Sequence, residues 1–391
     1  KKIIPYSRQI ITNQDIKEVN KVLKSDFITQ GPINKKFENE ISKFVKSKYC
    51  ITVNTATSAL TIACRALGLK KNDILWTSTN SFVASANCGL LCGAKVDFID
   101  INLDDYNISL EKLEKKLLHA KKINKLPKIL VPVHFAGQPC EMEKIYKLSK
   151  KYKFKIIEDA SHALGSSKKN IMVGSCKHSD FTVFSFQAVK VITTGEGGCL
   201  TTNNKELYEK VKLLRTHGIT KDKKLFINKE CKSQPWYYEQ QVLGTNYRLS
   251  DINSDLGLSQ LKNLKKNLIK REKLVKNYYT LIKNTNFKFV KIPPNIKSAH
   301  HLLPLFYNFK DFSEKVNFFN YLRKKNIFLQ VHYIPIYKHP YYKMLGFKSK
   351  NYPNTEIYYK NIFSIPLFLT LNKTKQIFIT SQIMKFFQKR K

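Results

Sequence analysis

Short apolar runs alternate with helical patterns over the first 250 residues of the chain. Runs typical of buried strands occupy residues 49–53, 95–99, 129–133, 154–157, 181–186 and 198–201. Apolar residues at helical spacing separate several of these runs, most clearly over residues 142–152. The alternation predicts an α/β fold with a mostly parallel sheet that helices cover on both faces.

The two ends of the chain show different patterns. Thr12-x-x-Asp15 precedes apolar residues at helical spacing, which predicts a helix that begins with a capping box. After residue 250 a Lys-rich helical pattern runs from about 252 to 282, and prolines interrupt the shorter segments beyond it. We expect a large α/β domain with an N-terminal arm at residues 1–255. A linker helix and a small α+β domain should occupy residues 256–391.

The charge is the unusual feature of the composition. The 391 residues include 69 Lys and Arg against 29 Asp and Glu, a net charge of +40. Such an excess raises the possibility of a polyanionic partner. The lysines are dispersed, however, and pairs such as Lys115-Lys116 fall on the polar faces of predicted helices. We interpret the charge as a solvated surface and expect no nucleic-acid partner.

Targeting and redox signals are weak throughout. The sequence starts without the apolar stretch of a signal peptide, and no apolar run approaches the length that crosses a membrane. The eight cysteines contain no C-x-x-C pair, which argues against zinc ligation and a disulfide framework. We therefore expect a cytoplasmic protein with no metal and no membrane association.

The candidate chemistry begins with an acid and a lysine. Asp159 follows an apolar strand, the position where open α/β sheets place their ligands. Lys190 lies between an apolar strand and the Gly-rich run 193–198. A carboxylate for the pyridinium nitrogen and a lysine for a Schiff base are the two groups that pyridoxal phosphate requires. An exposed loop lysine and an ordinary strand-end aspartate explain the spacing equally well.

Small and hydroxyl residues at 54–59 form a strand-to-helix junction that could hold a phosphate. Backbone N–H groups and the helix dipole favour an anion there, with the hydroxyls of Thr57 and Ser58 assisting. Ser185, five residues before Lys190, could reach the same phosphate. By itself the junction is as typical of a plain helix cap.

These motifs together resemble the DegT/DnrJ/EryC1/StrS family of pyridoxal-phosphate-dependent sugar aminotransferases. The resemblance extends over nearly the whole chain. It rests on Pro5-Tyr6-Ser7, Thr29-Gln30-Gly31-Pro32, residues 54–60, 158–165, 185–190 and 193–198, Arg215-x-His217-Gly218, Asn246-Tyr247-Arg248-Leu249, Gln330-Val331-His332-Tyr333 and Ser364-Ile365-Pro366-Leu367.

The resemblance implies a fold and a reaction. The fold is aspartate-aminotransferase-like (type I), a mostly parallel sheet domain with a smaller C-terminal α+β domain. Residues 161–165, 192–198 and 330–333 are most similar to the pseudaminic-acid branch of the family. That branch implies a homodimer that transfers an amino group from L-glutamate to C4 of a UDP-linked 4-keto-6-deoxy-N-acetyl sugar.

The resemblance also implies residue roles. Lys190 would hold the cofactor covalently and move a proton, Asp159 would face the ring nitrogen, and His162 would lie near the phenolic oxygen, where many relatives carry Gln. The remaining cofactor-binding residues implied are Ala56, Thr57, Ser58, Phe82, Ser185 and, from across a dimer interface, Asn246. The implied substrate-binding residues are Tyr6, Asp26, Phe27, Ile28, Thr29, Gln330, Val331, His332 and Tyr333.

One departure from the branch leaves the substrate open. Relatives commonly carry His where this chain has Gln187, so another nucleotide-linked 3- or 4-keto hexose is an alternative substrate. Lys190 separates the chain from family members that carry His there and act as dehydratases. The alternative of another class is a nucleic-acid-binding protein on an aminotransferase-like scaffold, which only the net charge favours.

Overall fold

A computed structural model describes residues 3–283 and 285–388. The helices are α1 Asn13–Leu23, α2 Pro32–Val45, α3 Ala56–Ala66, α4 Ala84–Leu91, α5 Leu110–Lys122, α6 Met142–Tyr152, α7 Lys205–Leu214, α8 Asp251–Lys262, α9 Leu264–Ile282, α10 Phe312–Lys324, α11 Pro340–Met344, α12 Pro353–Asn361 and α13 Lys373–Gln388. The strands are β1 Tyr49–Val53, β2 Ile74–Ser78, β3 Lys95–Ile99, β4 Ile129–Val131, β5 Lys155–Asp159, β6 Ser167–Lys168, β7 Ile171–Met172, β8 Phe181–Ser185, β9 Gly198–Thr202, β10 Ile219–Thr220, β11 Glu239–Gln240, β12 Lys288–Phe289, β13 Ile296–Lys297, β14 Leu303–Phe306 and β15 Ile362–Ile365.

A seven-stranded sheet forms the centre of the larger region, in the order β3-β2-β4-β5-β8-β9-β1. Strand β9 pairs antiparallel with both neighbours, and the other pairs are parallel. The strands are almost continuously buried, as expected when helices cover both faces. The predicted mostly parallel α/β sheet is therefore confirmed.

Strand β2 is missing from the sequence-based prediction. Its residues Trp76, Thr77 and Ser78 mix apolar and polar side chains, so the run is not uniformly apolar, yet all three are buried. The Thr77 hydroxyl donates to the carbonyl of Val131 in the neighbouring strand, at 2.8 Å. A hydroxyl with its own backbone acceptor can be buried without the cost of an unpaired group.

The predicted capping box is present at the start of α1 and has a second function. The backbone N–H of Thr12 donates to the carboxylate of Asp15, and the Thr12 side chain accepts from the Asp15 N–H. Asp15 is fully buried because Ser259 and Gln260 of α8 also donate to it. The cap therefore joins the N-terminal helix to α8.

The single helix predicted from about 252 to 282 is wrong, since the structure has two. Asn263 ends α8 and precedes α9, with φ −94° and ψ −2°. Helix α8 packs on α1 and α2, whereas the later part of α9 enters a second core. The break between the two helices coincides with this change of packing partner, and periodicity alone does not reveal it.

The second core lies between the antiparallel sheet β12-β14-β15 and helices α9, α10 and α13. Ile4 packs into this core and pairs with Ile327, so the N-terminal arm belongs to it. Ile336 and Tyr342 return to the core of the large sheet. The predicted boundary between residues 255 and 256 stays a prediction, and the change of packing partner falls at Asn263.

The topology brings the carboxyl ends of β4, β5 and β8 to one edge of the sheet. Residues 330–334 from the smaller region lie against this edge, where the Tyr333 N–H donates to the Asn80 side chain at 3.0 Å. Among the residues that the structure describes, no helix combines the length and apolar character needed to cross a membrane.

Candidate active site

A cavity of about 810 Å³ opens where the two regions meet at the carboxyl edge of the sheet. It is lined by the start of α3, the ends of β5 and β8, and residues 330–334. The structure brings twelve of the predicted site residues to its wall. They are Tyr6, Ala56, Thr57, Phe82, Asp159, His162, Ser185, Lys190, Gln330, Val331, His332 and Tyr333.

Asp159 is the last residue of β5 and carries a fully supported carboxylate. One oxygen accepts from the hydroxyl of Ser85 at 2.6 Å, and the other accepts from the hydroxyl and the N–H of Ser161 at 2.6 and 3.1 Å. Asp159 is 5% exposed. Hydrogen bonds from neutral donors stabilise a buried carboxylate without neutralising it, so its negative charge can face the cavity.

Lys190 follows β8 in a turn that Gln187 organises. The carbonyl of Gln187 accepts from the Lys190 N–H at 2.9 Å, and the Gln187 side chain accepts from the Val189 N–H at 3.2 Å. Burial lowers the pKa of the Lys190 ammonium to about 8, while the charge of Asp159 opposes the shift. A lysine with this pKa exchanges protons readily near neutral pH, as a Schiff-base lysine must.

The first turn of α3 borders the cavity with unpaired N–H groups. The Thr55 side chain caps the helix by accepting from the Ser58 N–H at 3.0 Å. The N–H groups of Ala56 and Thr57 have no acceptor among the described residues. A Cβ on Gly198 would lie 2.6 Å from the Ala56 nitrogen, so only glycine lets β9 approach this turn. The arrangement suits a phosphate.

The aromatic wall comes from both regions. Phe82 is 59% exposed and lies 6.1 Å from the Tyr333 ring, measured between centroids. An exposed phenylalanine on a cavity wall leaves an apolar face for a flat ring. Tyr6 packs at 5.2 Å on the ring of His332, and its carbonyl accepts from the N–H of Leu367.

Three buried histidines surround the inner end of the cavity. Burial, followed by the charges of Lys190 and His332, holds the pKa of His162 well below its usual range. Burial also places the pKa of His301 well below its usual range and lowers that of His332 to about 3. All three rings are therefore neutral near pH 7.

The residues of this cavity fit pyridoxal phosphate. Thr57, Ser185 and the first turn of α3 would hold the phosphate, Asp159 would face the ring nitrogen and Phe82 the ring. Lys190 would hold the carbonyl carbon. The fit rests on the unpaired N–H groups of α3, the close approach at Gly198 and the supported Asp159 carboxylate.

Sequence reasoning missed several residues that the site uses. Ser85 and Ser161 support Asp159, and His301 lines the cavity. Ser161 lies two residues after the acid, which is a signal for a local hydrogen bond to it. Ser85 lies 74 positions before Asp159 in the chain, and no local pattern connects the two. His301 precedes β14 in a region with no pattern that points to a site.

Other predicted residues lie outside the cavity lining. The Ser58 hydroxyl bonds to that of Thr55 at 2.9 Å. Residues 26–29 and Asn246 are exposed. A second cleft of about 330 Å³ is lined by Gln30, Gly31, Thr216 and Arg248 among others. Gln30 directly follows residues 26–29 along the chain, and Thr216 pairs with Asn246 in an isolated bridge. The roles of Ser58, residues 26–29 and Asn246 stay predictions.

The protein is a pyridoxal-phosphate-dependent aminotransferase of the type I fold. The order of strands in the sheet, the cavity that contains Lys190 and Asp159, and the family match together define this class. Residues 9–384 match the DegT/DnrJ/EryC1/StrS aminotransferase family. The chain belongs to this family. The fold class and the enzyme class expected from the sequence are confirmed.

Similar proteins share the full length of the chain. The UDP-4-amino-4,6-dideoxy-N-acetyl-beta-L-altrosamine transaminase of Campylobacter jejuni is 40% identical over 388 residues, which cover 99% of this chain and 98% of that protein. Helicobacter pylori PseC, an aminotransferase involved in the biosynthesis of pseudoaminic acid, has a solved structure with TM-score 0.90 and 35% identity, covering 99% of this chain and 100% of that one. Spr1654 from Streptococcus pneumoniae in its PLP-form has TM-score 0.90 and 27% identity, with 99% of each chain covered.

Proposed function

We propose that this enzyme transfers the amino group of L-glutamate to C4 of a UDP-linked 4-keto-6-deoxy-N-acetylhexosamine. The product would be UDP-4-amino-4,6-dideoxy-N-acetyl-β-L-altrosamine, a nucleotide sugar of pseudaminic acid biosynthesis. The main observation in support of the proposal is that Lys190, Asp159 and the first turn of α3 line the same cavity. The choice of sugar is supported by the 40% identical relative named for that transamination.

The chain's own residues divide the chemistry between them. Bound pyridoxal phosphate supplies a carbonyl for the amino group and a ring that withdraws electrons. Asp159 would hold the proton on the ring nitrogen. Lys190, whose pKa burial lowers to about 8, would move a proton from the donor's α-carbon to C4′ of the cofactor, and in the second half of the reaction from C4′ to the acceptor carbon.

The cavity also has room for a substrate as large as a nucleotide sugar. Its volume of about 810 Å³ lies within the range of small-molecule sites. Its outer wall includes Gln330, Ile334, His339 and Tyr359 from the smaller region. These residues together with Tyr6 would contact the sugar nucleotide, while the inner wall holds the reacting carbon near Lys190.

The enzyme would act as a homodimer in which Asn246 reaches the cofactor of the neighbouring subunit. In support, Asn246 is exposed and pairs with Thr216, which lines the second cleft. Large apolar side chains such as Phe27, Trp236 and Leu243 are exposed as well. Exposed apolar surface of this kind is typical of a protein–protein interface.

A cytoplasmic location is part of the proposal. All eight cysteines are free thiols, and six of them are buried. Unpaired cysteines in this number suit a reducing compartment. The substrate, a nucleotide-activated sugar, would meet the enzyme there.

A panel of nucleotide-linked keto sugars with L-glutamate tests the proposal. We expect the UDP-linked 4-keto-6-deoxy-N-acetyl sugar to give the highest kcat/KM. Failure with every UDP-linked 4-keto sugar, combined with turnover of a 3-keto or dTDP-linked one, would favour the alternative substrate class. The Gln187→His variant belongs in the same panel, because Gln187 lines the cavity and replaces the histidine common in the branch.

A further inference from the structure

A chain of two hydrogen bonds ends at the Tyr333 hydroxyl inside the cavity. The backbone N–H of Ala136 donates to Nδ1 of His162 at 3.3 Å. Nε2 of the same ring lies 2.9 Å from the Tyr333 hydroxyl oxygen. Ala136 belongs to a one-turn segment, residues 135–137, in which its own φ is 56°. Both ring nitrogens of His162 are therefore engaged.

The Ala136 bond determines which nitrogen of His162 carries the proton. A backbone N–H can only donate, so Nδ1 must offer a lone pair. In a neutral imidazole the proton then lies on Nε2. The neutral form is the one that the surroundings favour, because burial and the nearby Lys190 and His332 lower the pKa of His162.

The direction of the second bond follows from the first. Nε2–H of His162 donates and the Tyr333 oxygen accepts, so the hydroxyl proton points elsewhere. The part of the chain that the structure describes offers this proton no acceptor. We propose that Tyr333 donates a hydrogen bond to an oxygen of the molecule bound in the cavity. His162 is the positioning residue that fixes this direction.

Packing keeps the His162 ring in place. Its centroid lies 4.5 Å from that of His301 and 6.2 Å from that of Phe135, and its plane is within 20° of the Tyr333 ring. Arg271, 2% exposed, donates to the carbonyls of His300 and His301 at 3.2 and 3.4 Å. A flip that exchanged the two ring nitrogens would break both hydrogen bonds of His162 within this packing.

The inference rests on the proposed function, which supplies two candidate oxygens. One is the phenolic oxygen of pyridoxal phosphate and the other is the carbonyl oxygen of the keto sugar. Both gain electron density during the reaction, so a fixed donor stabilises either. The shared chemistry is an electron-rich oxygen, and the experiments distinguish its two sources.

The first experiment measures protonation in the cofactor-free protein. Nitrogen-15 NMR, with His162 assigned from the spectrum of His162→Gln, should show a proton on Nε2 and a bare Nδ1 at pH 7. A proton on Nδ1, or a doubly protonated ring, would overturn the proposal. This result does not depend on any substrate, so it stands even if the proposed function fails.

The second experiment uses variants that keep or remove the two hydrogen bonds of the His162 side chain, one with the Ala136 N–H and one with the Tyr333 hydroxyl. Glutamine offers an amide oxygen to the Ala136 N–H and an amide N–H to Tyr333, whereas leucine offers neither. We expect Tyr333→Phe and His162→Leu each to lose about 10²-fold in kcat. His162→Gln should recover most of the activity that His162→Leu loses, whereas the exposed control His119→Gln should match the parent. Equal losses in His162→Gln and His162→Leu would contradict a positioning role.

The third experiment separates the two oxygens with Tyr333→Phe, with Tyr341→Phe as the exposed control. A shift in the pH titration of the bound cofactor's absorbance, measured without sugar, assigns the bond to the phenolic oxygen. An unchanged titration with a slower single turnover of the keto sugar assigns it to the carbonyl oxygen. If Tyr333→Phe changes neither measurement, Tyr333 is not the donor.

Discussion

The inner end of the cavity and the exposed segments at 26–29 and 246 differ in how far contacts within one chain support them. Asp159, Lys190 and the start of α3 belong to one chain, and their supporting hydrogen bonds are complete within it. Residues 26–29 and Asn246 are exposed and do not line this cavity. The difference teaches that the groups proposed for the chemistry are supported within one chain, while residues 26–29 and Asn246 have the exposure that the proposed contact with a second copy requires.

The largest effect should come from the inner end. Replacing Lys190 with Ala removes the group that we propose moves the proton, so kcat should fall by about 10⁴-fold or more. Steady-state transamination measures the loss. The matched control is Lys121→Ala on the exposed side of α5, which should keep full activity. Retention of turnover by Lys190→Ala would disprove the assignment of this lysine.

Asp159→Asn should have the next largest effect, a loss of roughly 10³-fold in kcat. The amide keeps an oxygen for the hydroxyl of Ser161, so the fold should be preserved while the negative charge is lost. Thermal unfolding checks the first point and kinetics the second. Ser85→Ala, which removes one donor to the same carboxylate, should cost only about tenfold. A larger loss for Ser85→Ala than for Asp159→Asn would contradict the view that Ser85 acts only by supporting the acid.

The free energy of unfolding should depend on pH because folding buries the charged ammonium of Lys190. Its pKa falls from 10.5 to about 8 on folding, so the unfolded chain binds more protons between these values. The cost of burying the ammonium is complete below pH 8 and disappears as the pH rises toward 10.5. In the cofactor-free protein, Lys190→Met should raise the free energy of unfolding by about 2 kcal/mol at pH 7. This gain is smaller than the free energy equivalent to the full pKa shift, because the cavity is open to solvent, which screens the charge.

Urea unfolding at pH 7 and pH 10 measures this difference. The gain of Lys190→Met should shrink at the higher pH. An equal gain at both values would mean that the ammonium is not the source of the cost.

Asn246→Ala tests the exposed region and should have the smallest effect, a loss of about tenfold in cofactor affinity. The sharper version mixes Asn246→Ala with Lys190→Ala subunits. Each hybrid dimer would contain one site with an intact Lys190 and the partner's intact Asn246. At a cofactor concentration low enough to leave the Asn246→Ala sites mostly empty, activity should therefore return to about a quarter of the parent. No recovery after confirmed subunit exchange would place Asn246 in its own subunit's structure instead.

Much of the inner site could be predicted because its residues lie close together in sequence. Asp159 ends an apolar strand, Lys190 follows the next one, and the α3 junction has a composition suited to anions. The break at Asn263 and the mixed strand β2 could not be predicted in this way. The first depends on which helices α8 and α9 pack against, and the second on a backbone acceptor for Thr77.

Contacts between distant segments explain the residues that were missed. Ser85 reaches Asp159 across 74 positions of the chain, and no local pattern records that pair. The same holds for the bond between Tyr333 and His162, which are 171 positions apart. The family resemblance gave roles to His162 and Tyr333 separately, and only the fold shows that they act on each other.

The most direct test of the account is to locate the cofactor on the chain. The protein would be loaded with pyridoxal phosphate, reduced with borohydride, digested, and its modified peptide identified by mass spectrometry. We predict a single pyridoxyl group on Lys190, despite the many other lysines of a chain with net charge +40. Modification of a different lysine, or of none, would contradict the central claim.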